Sequence, residues 1–130
     1  MDTLAQFDQG LHYDDLHKYH KDWISELEFS LKELDFFESL LGKYVSEHGA
    51  NAWVEQIQNK IILHRENIEI YIHDLRAESK KLTRFVKEHP ISVEFATFQK
   101  HNKWREKMED QRRAFAEMKS EFYQIVTEKK

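Results

Sequence analysis

Apolar residues recur every three or four positions along three long stretches of this chain, which is the spacing of one face of an α-helix. Gly49 suits the left-handed end of a helix, and Asn51 suits the N-cap of the next one. Pro90 disfavours helical backbone at His89, the residue before it. The pattern therefore predicts three helices, over residues 14–48, 51–89 and 91–128.

Short connections between long helices force neighbouring helices to run antiparallel. The sequence therefore predicts an all-α fold, an antiparallel up-down-up bundle of three long helices with coiled-coil-like packing. Residues 1–130 are expected to form one domain, in which residues 1–12 are an N-terminal arm or a short helix. A four-helix alternative requires a break of the second helix between Ala77 and Lys81, where no Gly or Pro supports one.

Composition narrows the functional classes. The chain has no cysteine, which excludes thiolate metal sites and favours a cytoplasmic location. No apolar run approaches the roughly 18 residues of a membrane span, so no membrane association is expected. The basic residues alternate with acidic ones and form no dense stripe, which argues against nucleic acid as a partner.

Three polar residues interrupt the apolar faces, and each lies on a different helix. His20 is on the first helix, Glu78 on the second and His101 on the third. Antiparallel pairing about the two turns places all three in one layer at one end of the bundle, to within about one helical turn. The inward positions predicted for the second helix are Trp53, Ile57, Ile61, His64, Ile68, Tyr71, Leu75, Glu78, Leu82 and Phe85.

Three explanations account for such a layer. The first is a hydrogen-bonded network that fixes helix register, the second is a metal site, and the third is a cluster whose protonation loosens the end of the bundle. Two His and one carboxylate suit zinc or non-haem iron, and His73 and Glu26 lie near enough in sequence to complete the ligand set. The leading hypothesis is a divalent transition-metal site built from His20, Glu78, His101, His73 and Glu26. A second layer pairs His64 with Glu33 through a hydrogen bond.

Motifs of known chemistry are missing, so catalysis is not expected. No Glu-x-x-His pair of the carboxylate di-iron bundles occurs, and no Gly-rich phosphate loop or His-Glu-x-x-His zinc signature is present. The stretches "HKDWISELEF", "RENIEIYIHDL" and "HNKWREKMED" resemble a family of uncharacterised small all-helical bacterial proteins. That resemblance implies a compact helical domain and no particular activity.

A second apolar line on the first helix supports a rival function. Phe29, Phe36 and Leu40 lie outside the inward face, where a thin bundle does not cover them. The alternative is therefore a protein-interaction or self-assembly module without metal. In that case the partner is a second copy or another protein, and the His/Glu cluster is a structural polar network.

Overall fold

The computed structural model describes residues 13–88 and 95–128. These residues form three helices and no strand: α1 (Tyr13–His48), α2 (Ala52–Glu88) and α3 (Phe95–Glu128). The predicted all-α fold is confirmed. Helix α2 continues through residues 77–81, so the four-helix alternative is not observed. The predicted arm over residues 1–12, the break at His89 and Pro90 and a helix start at residues 91–94 lie outside the described residues.

The turn between α1 and α2 is built as its sequence predicts. Gly49 has a φ of 82°, and its N–H donates to the Val45 carbonyl at 2.7 Å. The Asn51 side-chain oxygen accepts from the Val54 N–H at 3.0 Å. One residue thus ends α1 in the left-handed conformation, and the other caps the first turn of α2.

Ion pairs between the helices reveal their directions. Helices α1 and α2 are antiparallel, because a later residue of α2 meets an earlier residue of α1. Arg65 bonds Asp35 at 2.8 Å, and Arg76 bonds Glu28 at 3.0 Å. Between α1 and α3 the numbering rises together, because other pairs link residues 26 and 33 to residues 112 and 119. The helices therefore run up, down and up, with α1 and α3 parallel.

Aromatic rings fill the middle of the core. The Phe37 ring centroid lies 4.7 Å from that of Phe122 and 6.4 Å from that of Phe115. On α2 one line of buried residues repeats every seven positions, at Val54, Ile61, Ile68, Leu75 and Leu82, and Ile57 and Ile72 are buried beside it.

The predicted inward positions on α2 need two corrections. Trp53 is half exposed and Val54 is buried instead, because Val54 lies seven residues before Ile61. Ile72 is buried, whereas the predicted Tyr71 beside it is only half-buried. On α3, the polar Gln111 is buried among apolar residues. None of the described helices combines the length and the apolar character that a membrane crossing requires.

Candidate functional site

The three polar residues predicted to share a layer do so. His20 and His101 are both buried, with ring centroids 6.2 Å apart, and together with Glu78 they line one cavity of about 120 Å³ at an end of the bundle. Trp23 stacks on the His101 ring at 5.1 Å, and the Tyr19 ring meets it edge-on at 5.0 Å. Aromatic rings from α1 therefore enclose the imidazole of α3.

The two imidazoles differ in their hydrogen bonds. His20 Nδ1 lies 3.1 Å from the Ser79 hydroxyl oxygen on α2, which links two helices. His101 is only 2% exposed, and within the described part of the chain neither of its ring nitrogens has a hydrogen-bond partner. Ring stacking, rather than hydrogen bonding, holds His101 in place.

Glu78 lies at the rim of the cavity and faces basic side chains. Its Oε1 is 3.6 Å from Lys81 Nζ and 3.5 Å from Lys100 Nζ. Glu78 and His20 share the layer, but Ser79, the next residue, makes the hydrogen bond to His20. The carboxylate therefore serves as the counter-ion of two lysines.

The other two predicted ligands lie elsewhere. His73 has a side chain 84% exposed, because five residues of helix turn it about 140° away from Glu78. Glu26 lies six residues beyond His20 and reaches α3, where its carboxylate accepts from Arg112 Nε and Nη2 at 2.7 and 2.9 Å. Neither side chain approaches the imidazole pair.

The metal hypothesis is therefore wrong. Among residues 13–88 and 95–128, no group of three or more His, Cys, Asp or Glu side chains is placed to hold an ion. Two imidazoles converge, whereas the carboxylates that zinc or iron would need as further ligands are bonded to Lys and Arg. Sequence spacing predicted the layer correctly but did not predict the direction of each side chain around its helix.

Burial keeps both imidazoles uncharged at neutral pH. Burial, with smaller contributions from Arg105 and His20, lowers the pKa of His101 to about 4. Burial also lowers the pKa of His20, assisted by His17 and partly opposed by Glu78. A neutral pair between aromatic rings is what a structural polar layer requires, since buried charge without a partner is costly.

The predicted layer of His64 and Glu33 is also not found. His64 does not bond Glu33; its ring meets Phe115 edge-on at 5.7 Å, and burial lowers its pKa. Glu33 accepts instead from Lys119 Nζ at 2.7 Å. Glu33 reaches α3 from α1, whereas His64 packs against α3 from α2, so the two side chains do not meet.

Three exposed aromatic rings lie on the surface where α1 and α3 run side by side; we call this surface the α1/α3 face. It carries Phe29 and Phe36, seven residues apart and 61% and 55% exposed, together with Tyr123 of α3. Leu40, the third residue of the predicted apolar line, is half-buried and packs against the core. Two large rings thus project into solvent on one side of the bundle.

Polar pairs cross the α1/α3 face at seven-residue intervals. The Tyr19 ring lies 5.8 Å from the Arg105 guanidinium, Glu26 pairs with Arg112, and Glu33 pairs with Lys119. Each of these acids is on α1 and each base is on α3. At its centre the face therefore carries two acids on α1 and two bases on α3, with apolar rings beside them.

A groove of about 220 Å³ indents the α1/α3 face beside Phe29. Ser30 and Ala116, two small residues, and the buried Gln111 contribute to its walls. The sequence contained a signal for it, since Ser30 and Gln111 both fall at core spacing among larger apolar residues. Exposed apolar residues also occur on α2: Leu63 and Ile70 lie on the side away from its buried positions, and Trp53 and Ile62 are exposed as well.

No family model, curated protein or solved structure matches this chain. The resemblance to small all-helical bacterial proteins stays a prediction, and it carries no function.

Proposed function

We propose that this protein is a helical interaction module that associates with itself through the α1/α3 face. The observation that carries the proposal is the exposure of Phe29 and Phe36 at seven-residue spacing on one helix. Single exposed apolar residues are common on protein surfaces, but aligned aromatic rings with a groove beside them are typical of contact surfaces. The expected location remains the cytoplasm.

Apolar burial favours a weak association. Phe29 and Phe36 are already about two-fifths buried, so burying the exposed part of each ring contributes roughly 1–2 kcal/mol, and a symmetric contact buries two rings from each copy. The total, on the order of 4–8 kcal/mol, is opposed by about 4 kcal/mol or more of lost translational and rotational freedom. We therefore expect a weak dimer with a dissociation constant of roughly 0.1–1 mM.

The buried His20 and His101 pair has a structural role in this proposal. Its rings occupy one end of the core, where Ser79 and Trp23 fix their positions from α2 and α1. Polar core residues of this kind specify helix register at some cost in stability. A fixed register keeps Phe29 and Phe36 of α1 beside the same residues of α3.

Sedimentation velocity of three purified proteins tests the proposal. The unaltered chain should sediment faster as its concentration rises, and Phe29→Ser/Phe36→Ser should sediment as a monomer at every concentration. The matched control is Leu63→Ser/Ile70→Ser, which removes two equally exposed apolar residues from the outer side of α2. Equal behaviour of the two double variants would refute the α1/α3 face as the contact.

A further inference from the structure

If two copies associate through the α1/α3 face, as the proposed function has it, their relative direction can be inferred from the residues of that face. Two faces related by a twofold axis have two ways to meet. With the axis along the bundle, the copies are parallel and α1 lies against α3 of the second copy. With the axis across the bundle, the copies are antiparallel and α1 lies against α1. We infer that the dimer is parallel.

Charge at the centre of the α1/α3 face favours the parallel arrangement. Glu26 and Glu33 would then lie opposite Arg112 and Lys119 of the second copy, because each acid is already level with its base within one copy. In the antiparallel arrangement, centred between Phe29 and Phe36, Glu33 would approach both Glu33 and Lys32 of the second copy, and Lys119 would approach Lys119. Like charges cost most where the contact excludes water.

The apolar residues fit the parallel arrangement as well. Phe29 is level with Ala116, with which it lines the groove, so the ring of one copy would enter the groove of the other beside a small side chain. Phe36 is level with Tyr123, because its neighbour Phe37 lies 5.7 Å from the Tyr123 ring. Each exposed phenylalanine of α1 would therefore contact α3 of the second copy.

The charges at the ends of the α1/α3 face favour the antiparallel arrangement. Asp22 and Glu109 lie level at one end, so a parallel contact brings acids together there, whereas an antiparallel contact brings Asp22 near Lys43. All three side chains are exposed, and exposed charges are screened by water and salt. The central pairs, which a dimer would desolvate, therefore decide the arrangement.

Spin labels on single cysteines measure the arrangement directly, because the chain has no cysteine of its own. Asp22→Cys and Lys43→Cys lie on the ridge of Phe29 and Phe36, one beyond each end, at equal distances from the midpoint. In a parallel dimer, double electron–electron resonance should give about 20 Å or less for each variant alone, and a mixture of the two should add a distance of about 30 Å from the mixed dimer. In an antiparallel dimer each variant alone would give about 30 Å, and the mixture would add the short distance.

The outcomes separate the inference from the proposed function. A dimer with long distances for each single variant overturns the parallel arrangement and leaves self-association standing. A monomer without dipolar coupling at the highest concentration overturns both. An unchanged dissociation constant in Phe29→Ser/Phe36→Ser would mean that the copies meet through another surface, and it also overturns both.

Charge reversal gives an independent test of the same arrangement. Glu33→Lys should raise the dissociation constant about three- to tenfold, because the introduced ammonium group would face Lys119 of the second copy. Adding Lys119→Glu to it should restore dimerisation. An unchanged dissociation constant in Glu33→Lys, with its helix content intact by circular dichroism, would contradict the opposition of α1 and α3.

Discussion

Phe36 and Phe37 are adjacent in sequence, and their ring centroids lie 6.3 Å apart, yet one ring faces solvent and the other fills the core. Phe37 is 1% exposed and Phe36 is 55% exposed. The two residues therefore have different roles on α1. Phe37 holds the three helices together, and Phe36 is exposed for contact with a second copy.

The first prediction follows from this contrast. Phe37→Ala should lower the free energy of unfolding by about 3–5 kcal/mol, because it leaves a cavity against Phe115 and Phe122. Phe36→Ala, the matched control, should change it by less than about 1 kcal/mol in the monomer while weakening association. Urea unfolding at low protein concentration measures both. Equal losses would show that Phe36 also belongs to the core.

The second prediction concerns pH. The pKa of His101 is about 4 in the folded protein and near 6.5 when unfolded, so the unfolded chain binds the extra proton between these values. Stability is therefore highest above pH 6.5 and falls as the pH drops towards 4. Unfolding free energies of the unaltered chain at pH 7.5 and 5.5 should differ by about 1 kcal/mol through His101 alone.

His101→Leu should remove that part of the pH dependence. The difference between pH 7.5 and 5.5 should shrink by about 1 kcal/mol, and the remainder comes from other groups, including His20, whose pKa is lowered in the same direction. His73→Gln removes an exposed ring from the other side of α2 and serves as the control. An identical pH dependence in His101→Leu and the unaltered chain would show that His101 is not enclosed.

Position along a helix could be predicted from the sequence more accurately than direction around it. Apolar spacing, with antiparallel pairing about Gly49 and about Pro90, located His20, Glu78 and His101 in one layer. Side-chain direction depends on which neighbour packs on each flank. An error of one position turns a side chain by about 100°, which is why Trp53 replaced Val54 in the predicted core.

The predicted metal ligands failed for a related physical reason. A carboxylate near a histidine in the layer also lies near lysines and arginines, and spacing along one helix does not reveal which of them it contacts. Glu78 faces Lys81 and Lys100, and Glu26 faces Arg112. The exposure of Phe29 and Phe36, by contrast, depends only on the side of α1 on which they lie, and the sequence predicted that side.

The third prediction concerns Gln111, a buried polar residue of α3. Its Nε2 is buried, and within the described residues it has no hydrogen-bond partner. Gln111→Leu should therefore raise the free energy of unfolding by about 1–2 kcal/mol, because the desolvation cost of the amide disappears. Gln124→Leu on the exposed side of α3 is the control. A loss of stability in Gln111→Leu would mean that the amide is satisfied.

The fourth prediction tests the turn between α1 and α2. Asn51→Ala removes the oxygen that accepts from the Val54 N–H, and it should lower the free energy of unfolding by about 1 kcal/mol. Asn67→Ala, on the exposed side of α2, changes the same residue type without removing a cap. Thermal unfolding of both variants measures the difference, and equal midpoints would contradict the capping role.

Self-association is the central claim, and sedimentation equilibrium of the unaltered, untagged chain tests it most directly. We expect a mass near 15.8 kDa at low micromolar concentration that rises towards twice that value as the concentration increases about a hundredfold. A single mass of 15.8 kDa throughout that range would contradict the claim that the α1/α3 face binds a second copy.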